Sequence, residues 1–329
     1  MTPLTPLQSA LIEAYQRNLP LVERPFAVMG EALDAGEDEV LDALHELSSR
    51  GVLSRVGPVF RPGTVGASTL AAMAVPPARL EAVAAAVSAR PEVNHNYQRE
   101  HHYNLWFVIT AARREGVLES LEAIAKATGL PVLDLPLEAE YHIDLGFPLN
   151  AEASPRRRPT GLTPRLAHVC CPRQERLLAA AQGGLPLVAK PYRALARQAG
   201  LSPGEVLGWL GQWQADGVLA RLGLVVRHRE LGYRANAMVV WDLPADRVDA
   251  VGREFAGLPW VSLCYRRPRR APHWPYNLFC MVHGKQRDQV RGQVAELAHR
   301  VGAGVPHALL FSTHCYKQRG ARYRSLEAC

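Results

Sequence analysis

Two segments of the 329-residue chain concentrate the side chains best suited to chemistry. The first reads Asn94-His95-Asn96-Tyr97-Gln98-Arg99-Glu100-His101-His102-Tyr103-Asn104-Leu105-Trp106-Phe107 and holds three of the twelve histidines. The second, Ser262 to Phe279, holds Arg266, Arg267, Arg269 and Arg270 interleaved with Tyr265, Trp274 and Tyr276, and includes His273 and Asn277. Aromatic rings offer stacking faces and guanidinium forks match carboxylates, so segments of this content line something flat and anionic. A solvated charge run is the bland alternative for the arginines, and the interleaved rings argue against it. His101 and His102 stand out because Tyr97, Arg99, Tyr103 and Asn104 crowd around them. On a strand only one of the two would enter a pocket, since neighbours point to opposite faces; on a loop both could. The isolated His45 and His95 read as surface or internally satisfied residues, and Trp106 and Phe279 as core. Cys264 has no neighbour that makes a nucleophilic dyad. All six cysteines fall in the second half with no C-x-x-C and no zinc-like spacing, so reduced thiols and no structural metal are expected.

These segments occupy matching places in an internal duplication. Leu19-Pro-Leu-Val-Glu-Arg-Pro-Phe26 returns as Leu185-Pro-Leu-Val-Ala-Lys-Pro-Tyr192, and Gly51 to Arg61 returns as Gly217 to Arg227, both at an offset of 166. The offset becomes 168 where Tyr97 and Arg99 fall on Tyr265 and Arg267, then 173 where Tyr103-Asn104-Leu105 falls on Tyr276-Asn277-Leu278. Each copy carries the same pattern. An apolar-periodic helix, Leu4 to Tyr15, is followed by a short helix after Pro25. A third helix from Gly36 places Val40, Leu41, Leu44 and Leu47 at helical spacing, and Val52 to Arg61 alternates like a strand pair. That is a winged helix-turn-helix. Strand Thr69–Val75, helix Pro77–Ala89, strands Val93–Arg99 and Tyr103–Thr110, helix Gly116–Thr128 and strand Pro131–Leu137 then give a ferredoxin-like βαββαβ order. The expected class is α+β, in two tandem copies. The divisions are winged helix-turn-helix 1–63, ferredoxin-like 64–152, Pro/Arg-rich linker 153–166, winged helix-turn-helix 167–229 and ferredoxin-like 230–329.

Charge tests whether such helices read DNA. The chain carries a net +7, split into −8 over residues 1–150 (11 Lys/Arg, 19 Asp/Glu) and +15 over 151–329 (27 and 12). The presumptive recognition helix bears Glu37, Asp38, Glu39, Asp42 and Glu46 against Arg50 alone, and its counterpart has no Lys or Arg. A groove-reading helix draws affinity from neutralising phosphates, so these helices read as structural and no DNA partner is expected. The basic N-terminal flank of a secretory signal is missing, and the longest uncharged run, the 17 residues Pro62 to Ala78, is Gly/Ala-rich and closed by two prolines. A cytoplasmic protein without a membrane partner is expected.

The repeated Tyr-x-Arg and Tyr-Asn-Leu-[Trp/Phe] pattern, on helix-turn-helix plus ferredoxin-like units, resembles the siroheme decarboxylases, an Lrp/AsnC-like enzyme family of paired homologous subunits (AhbA/AhbB; NirD/L/G/H). Copy one is similar to the A/D-type subunit and copy two to the B/L-type, so the chain looks like a NirDL-type gene fusion. The resemblance covers nearly the whole chain. It implies removal of CO2 from the C12 and C18 acetates of siroheme, giving 12,18-didecarboxysiroheme for haem d1 or an alternative haem. It further implies no cofactor beyond the iron-containing substrate, and a pseudo-dimer within the chain, with homo-oligomers left open. Losing CO2 leaves electrons that the macrocycle can delocalise, and the methylene must then be protonated, most simply by histidine. On this footing His101 and His102 are the expected catalytic groups, positioned by Tyr97 and Arg99. Tyr103, Asn104, Tyr265, Arg266, Arg267, Arg270, Trp274, Tyr276, Asn277 and Lys317 are the expected substrate-binding set, and His273 serves as acid or iron ligand. An Lrp-type regulator and a haem-binding sensor are the competing classes.

Overall fold

The computed structural model describes residues 3–143, 146, 147, 149, 171–302 and 304–323, so the expected linker 153–166 lies outside the described residues. Copy one runs α1 (Pro6–Tyr15), α2 (Pro25–Glu31), α3 (Glu37–Ser49), β1 (Leu53–Phe60), β2 (Ala67–Met73), α4 (Leu80–Ala89), β3 (Val93–Arg99), β4 (Leu105–Ala111), α5 (Arg114–Thr128), β5 (Leu133–Pro136) and β6 (Ala139–Ile143). Copy two runs α6 (Pro172–Ala181), α7 (Pro191–Ala199), α8 (Pro203–Ala215), β7 (Leu219–Val226), β8 (Ala235–Trp241), α9 (Val248–Ala256), β9 (Val261–Arg266), β10 (Leu278–Gly284), α10 (Arg287–Val301) and β11 (His307–Gln318). The helices start and stop where their residues require it. Thr5 and Gln8 form a reciprocal capping box at α1, Ser202 and Glu205 another at α8, and Gly129 takes the left-handed position that ends α5. In α3 the buried Val40, Leu44 and Leu47 recur at helical spacing and leave Asp38, Glu39, Asp42 and Glu46 outside.

The two ferredoxin-like units share one nine-stranded sheet in the order β5-β2-β4-β3-β11-β8-β10-β9-β6. Each copy exchanges its last strand. The first half of β11 pairs with β8 of its own copy and the second half with β3 of the other. In copy one the same task is divided: β5 pairs with β2 and β6 with β9. The expected strand Pro131–Leu137 is therefore shorter and is continued by a second strand. One face of the sheet is covered by α4 and α5, the other copy's matching face by α9 and α10, each over its own apolar cluster.

The wing differs from expectation. Val52 to Arg61 forms one strand, β1, whose partner is β7 of the other copy, with Gly57 opposite Gly223. The alternation correctly signalled a strand, but Val52, Leu53, Val56 and Phe60 are buried in a core shared by both helix-turn-helix units, which only a cross-copy pairing supplies. At the centre of this ribbon Gly57 has φ +149°, and an added Cβ there would meet Gly184 at 3.0 Å.

Candidate active site

Between the β1/β7 ribbon and the sheet lies a cavity of about 370 Å³. Strand alternation decides what enters it. On β3, His95, Tyr97 and Arg99 face the cavity, while Asn96 on the opposite face donates to Ala84 O at 3.1 Å and Ser88 Oγ at 3.0 Å of α4. On β9 and just past it, the matching positions are Leu263, Tyr265 and Arg267. Phe279, Met281 and His283 share the inward face of β10. Arg55 and Arg221 enter from the ribbon, His228 from the turn after β7, and Phe147 and Tyr323 from the ends of the two exchanged segments.

Among the described residues, the lining of the cavity includes arginines and no aspartate or glutamate. Arg99 donates to Leu310 O at 3.1 Å and lies over Tyr97, with its Cζ 5.8 Å from the ring centroid. Arg267 donates to Leu135 O at 2.5 Å and lies 5.3 Å from the Tyr265 ring centroid. Neither makes an ion pair among the described residues, and the Nε of each is buried without a hydrogen-bond partner. Burial lowers both guanidiniums to about 10, still charged at neutral pH. It also raises the Tyr97 and Tyr265 hydroxyls well above their ordinary value.

Three histidines share this space. Burial, helped by Arg55, lowers His95 to about 4. Burial, then Arg229 and His95, lowers His228 to about 4. His283 is held well below its usual value by burial, then by His228, Arg99 and Arg229. The rings of His228 and His283 are 5.0 Å apart, with Phe147 against both. Asn236 Nδ2 lies 3.0 Å from His228 Nε2, and Ser262 Oγ lies 2.7 Å from His283 Nδ1. Among the described residues no cluster of three or more His, Cys, Asp or Glu could itself hold a metal ion.

Of the residues expected from sequence, Tyr97, Arg99, Tyr265 and Arg267 come together in the cavity and the others do not line it. β3 ends at Arg99, whose N–H donates to Asn104 O at 2.8 Å, so His101 and His102 sit on a tight turn beyond the cavity. His101 Nδ1 accepts from Tyr103 N–H at 3.0 Å and its ring packs on Trp274, while His102 is exposed. His273 is exposed at the tip of a turn closed by Arg270 and Trp274. Trp274 is buried with Trp106 and Phe279 in an apolar cluster, flanked by the partly buried Tyr103 and Tyr276. Asn104 clamps both backbone groups of Val75, at 2.8 and 2.9 Å, and Asn277 does the same to Leu243 at 2.9 and 3.0 Å. Arg266 points outward to Glu138 and Asp249, Arg270 donates to Asp134 O, and Lys317 donates to Ser88 O and Arg90 O at the end of α4. His95, His228, His283 and Arg55 were missed. The period-two spacing His95-Tyr97-Arg99 and Phe279-Met281-His283 was the signal that could have found two of the histidines.

Known proteins supply the comparison. The model described as the siroheme decarboxylase NirDL-like HTH domain matches residues 8–53 and 174–219, and the AsnC-like ligand binding domain matches 64–142 and 230–317. The siroheme decarboxylase NirDL subunit of Paracoccus denitrificans is 44% identical over 98% of this chain and 98% of its own length. The NirD subunit of Pseudomonas aeruginosa is 53% identical, covering 44% of this chain and 97% of its own length, so a relative exists as a separate half. The crystal structure of the siroheme decarboxylase NirDL in complex with an iron-uroporphyrin III analogue superposes with a TM-score of 0.68 at 29% identity, covering 96% of this chain and 94% of that one.

Proposed function

The chain belongs to the siroheme decarboxylase family, and from that premise we propose that the cavity between its copies is where siroheme loses CO2 from the C12 and C18 acetates. The reaction is a carboxy-lyase reaction on siroheme. The observation that carries the assignment to this cavity is the pair Arg99 and Arg267, enclosed cations with no carboxylate partner among the described residues. Enclosed charge without a counter-charge is costly, and a ligand rich in carboxylates removes that cost. Siroheme is a flat ring carrying eight carboxylates, and the rings of Tyr97, Tyr265, Trp106 and Phe279 give it walls.

The arginines bind carboxylates that stay. Clamping the departing carboxylate would stabilise its localised charge more than the transition state, in which that charge spreads into the macrocycle. The reacting acetate therefore belongs beside the histidines. The C–C bond to the carboxyl carbon breaks, CO2 leaves, the electron pair delocalises into the ring, and a proton then converts the methylene to a methyl. His95, His228 and His283 are neutral in the empty cavity at neutral pH. A bound polyanion favours their charged form and so raises their affinity for the proton they deliver. This assigns the acid to the cavity histidines, in place of His101, His102 and His273.

The test is anaerobic incubation of the purified chain with siroheme while the tetrapyrrole mass is followed. Loss of two CO2 is expected. Tight binding with no mass change would make the cavity that of a sensor.

A further inference from the structure

Apart from Arg319, just past β11, the cavity wall is symmetric in what holds anions, and it is asymmetric in what gives protons. Tyr97 and Arg99 match Tyr265 and Arg267, and Arg55 matches Arg221. His95, however, matches Leu263, His228 matches Pro62, and His283 matches Thr110, and all six line the cavity. The three histidines gather around the β3 side. The His95 ring stacks on Tyr97 at 6.2 Å, and Tyr97 carries Arg99. Arg99 reaches Met281 Sδ at 3.9 Å, two residues from His283, whose ring is 5.0 Å from that of His228. Around Arg267 the corresponding residues offer no proton near neutral pH, and the Thr110 hydroxyl is occupied by Asn94 and Arg322 O. Glu140, beside Tyr265, does not line the cavity and is ion-paired with Arg61 at 3.6 Å.

Resting on the siroheme reading above, we propose that the cavity has a single proton-donating pole, formed by His95, His228 and His283, at which the two acetates react in turn, the half-processed tetrapyrrole leaving and rebinding turned over. The substrate's own geometry permits this. In a type III tetrapyrrole the ring bearing C17 and C18 has its acetate and propionate reversed. A half-turn about the in-plane axis through the C5 and C15 meso carbons therefore brings the C18 acetate to where the C12 acetate lay. The same half-turn exchanges the C13 and C17 propionates, which two matching Tyr/Arg pairs grip equally in either orientation. Each step is balanced: one C–C bond breaks, CO2 departs, one C–H bond forms with a histidine proton, and solvent reprotonates the histidine. A rigid plate held between the sheet and ribbon residues such as Val59 and Val225 has no room to turn over in place, so it must leave.

A chase experiment on the wild-type chain tests this. Isotope-labelled siroheme is bound to excess enzyme, an excess of unlabelled siroheme is added, and tetrapyrrole masses are followed anaerobically. Labelled monodecarboxylated siroheme should accumulate in solution, and labelled doubly decarboxylated product should fall as the chase is increased. Label passing undiluted to the doubly decarboxylated product overturns the proposal. In addition, His283→Gln should slow both CO2 losses by the same factor; a variant that completes one loss at the wild-type rate and stalls at the second also overturns it. A wild-type chain that binds siroheme and releases no CO2 would instead sink the decarboxylase reading, a result distinguishable from either of these.

Discussion

A guanidinium that is enclosed and lacks a carboxylate binds an anion more readily than one already paired, and Arg99 and Arg267 differ from Arg266 in this respect. Arg267→Ala is expected to weaken siroheme binding more than it lowers kcat, because it removes a contact present in both ground and transition states. A titration of siroheme absorbance beside steady-state rates checks this, and a fall in kcat at unchanged affinity would place Arg267 in the chemistry. His283→Gln should lower kcat on the order of 10²-fold, the lower end of a general-acid contribution, with binding retained. His101→Ala and His102→Ala should leave turnover near wild type, since neither ring lines the cavity. The contrast explains what was legible at this scale. Tyr97, Arg99, Tyr265 and Arg267 could be read because the duplication repeats their spacing. His228 could not, because it stands in the run Arg227-His228-Arg229-Glu230, which reads as solvated charge, and only the fold brings its ring against His283, 55 residues further on. The crowding around His101 and His102 is that of a tight turn, which leaves His102 exposed and His101 half-buried, accepting from Tyr103 N–H.

Elements translate these residues into positions, and two conspicuous motif residues hold the elements themselves in place. Asn104 and Asn277 bond both backbone groups of Val75 and Leu243, tying the start of β4 to the end of β2 and the start of β10 to the end of β8. Asn277→Leu is expected to cost roughly 1–3 kcal/mol by stranding a buried N–H and C=O, read as a lowered denaturation midpoint, while siroheme turnover per folded molecule is unchanged. A loss of turnover at unchanged stability would return Asn277 to the site. The helices were legible because apolar spacing, caps and terminal glycines agree on them. Strand existence was legible too, as β1 shows, but its partner was not: alternation states that one face is buried and does not say against which copy. The same gap hid β6, which has all its residues half-buried and, among the described residues, pairs with the other copy's β9.

At the scale of the molecule, the exchanged strands, the β1/β7 ribbon and the cavity all depend on both copies, so the protonation of the cavity is a property of the whole fold. His95 and His228 are lowered to about 4, whereas in an unfolded chain they titrate near their ordinary 6.5. Below that ordinary value the unfolded chain takes up protons that the folded chain refuses. The stability contributed by these neutral histidines is therefore complete above about pH 6.5 and is lost as pH falls toward about 4. Siroheme reverses the sign locally: its carboxylates favour the charged histidines, so the complex takes up protons that the empty protein does not hold. The empty protein should thus show a falling Tm across this window, and the rise in Tm caused by siroheme should grow as pH decreases from neutrality. Calorimetric titrations in buffers of different ionisation enthalpy should show net proton uptake on binding, diminished in His228→Gln. Binding with no proton uptake would mean that the bound carboxylates lie away from the histidines, and the acid would have to be sought outside the cavity wall.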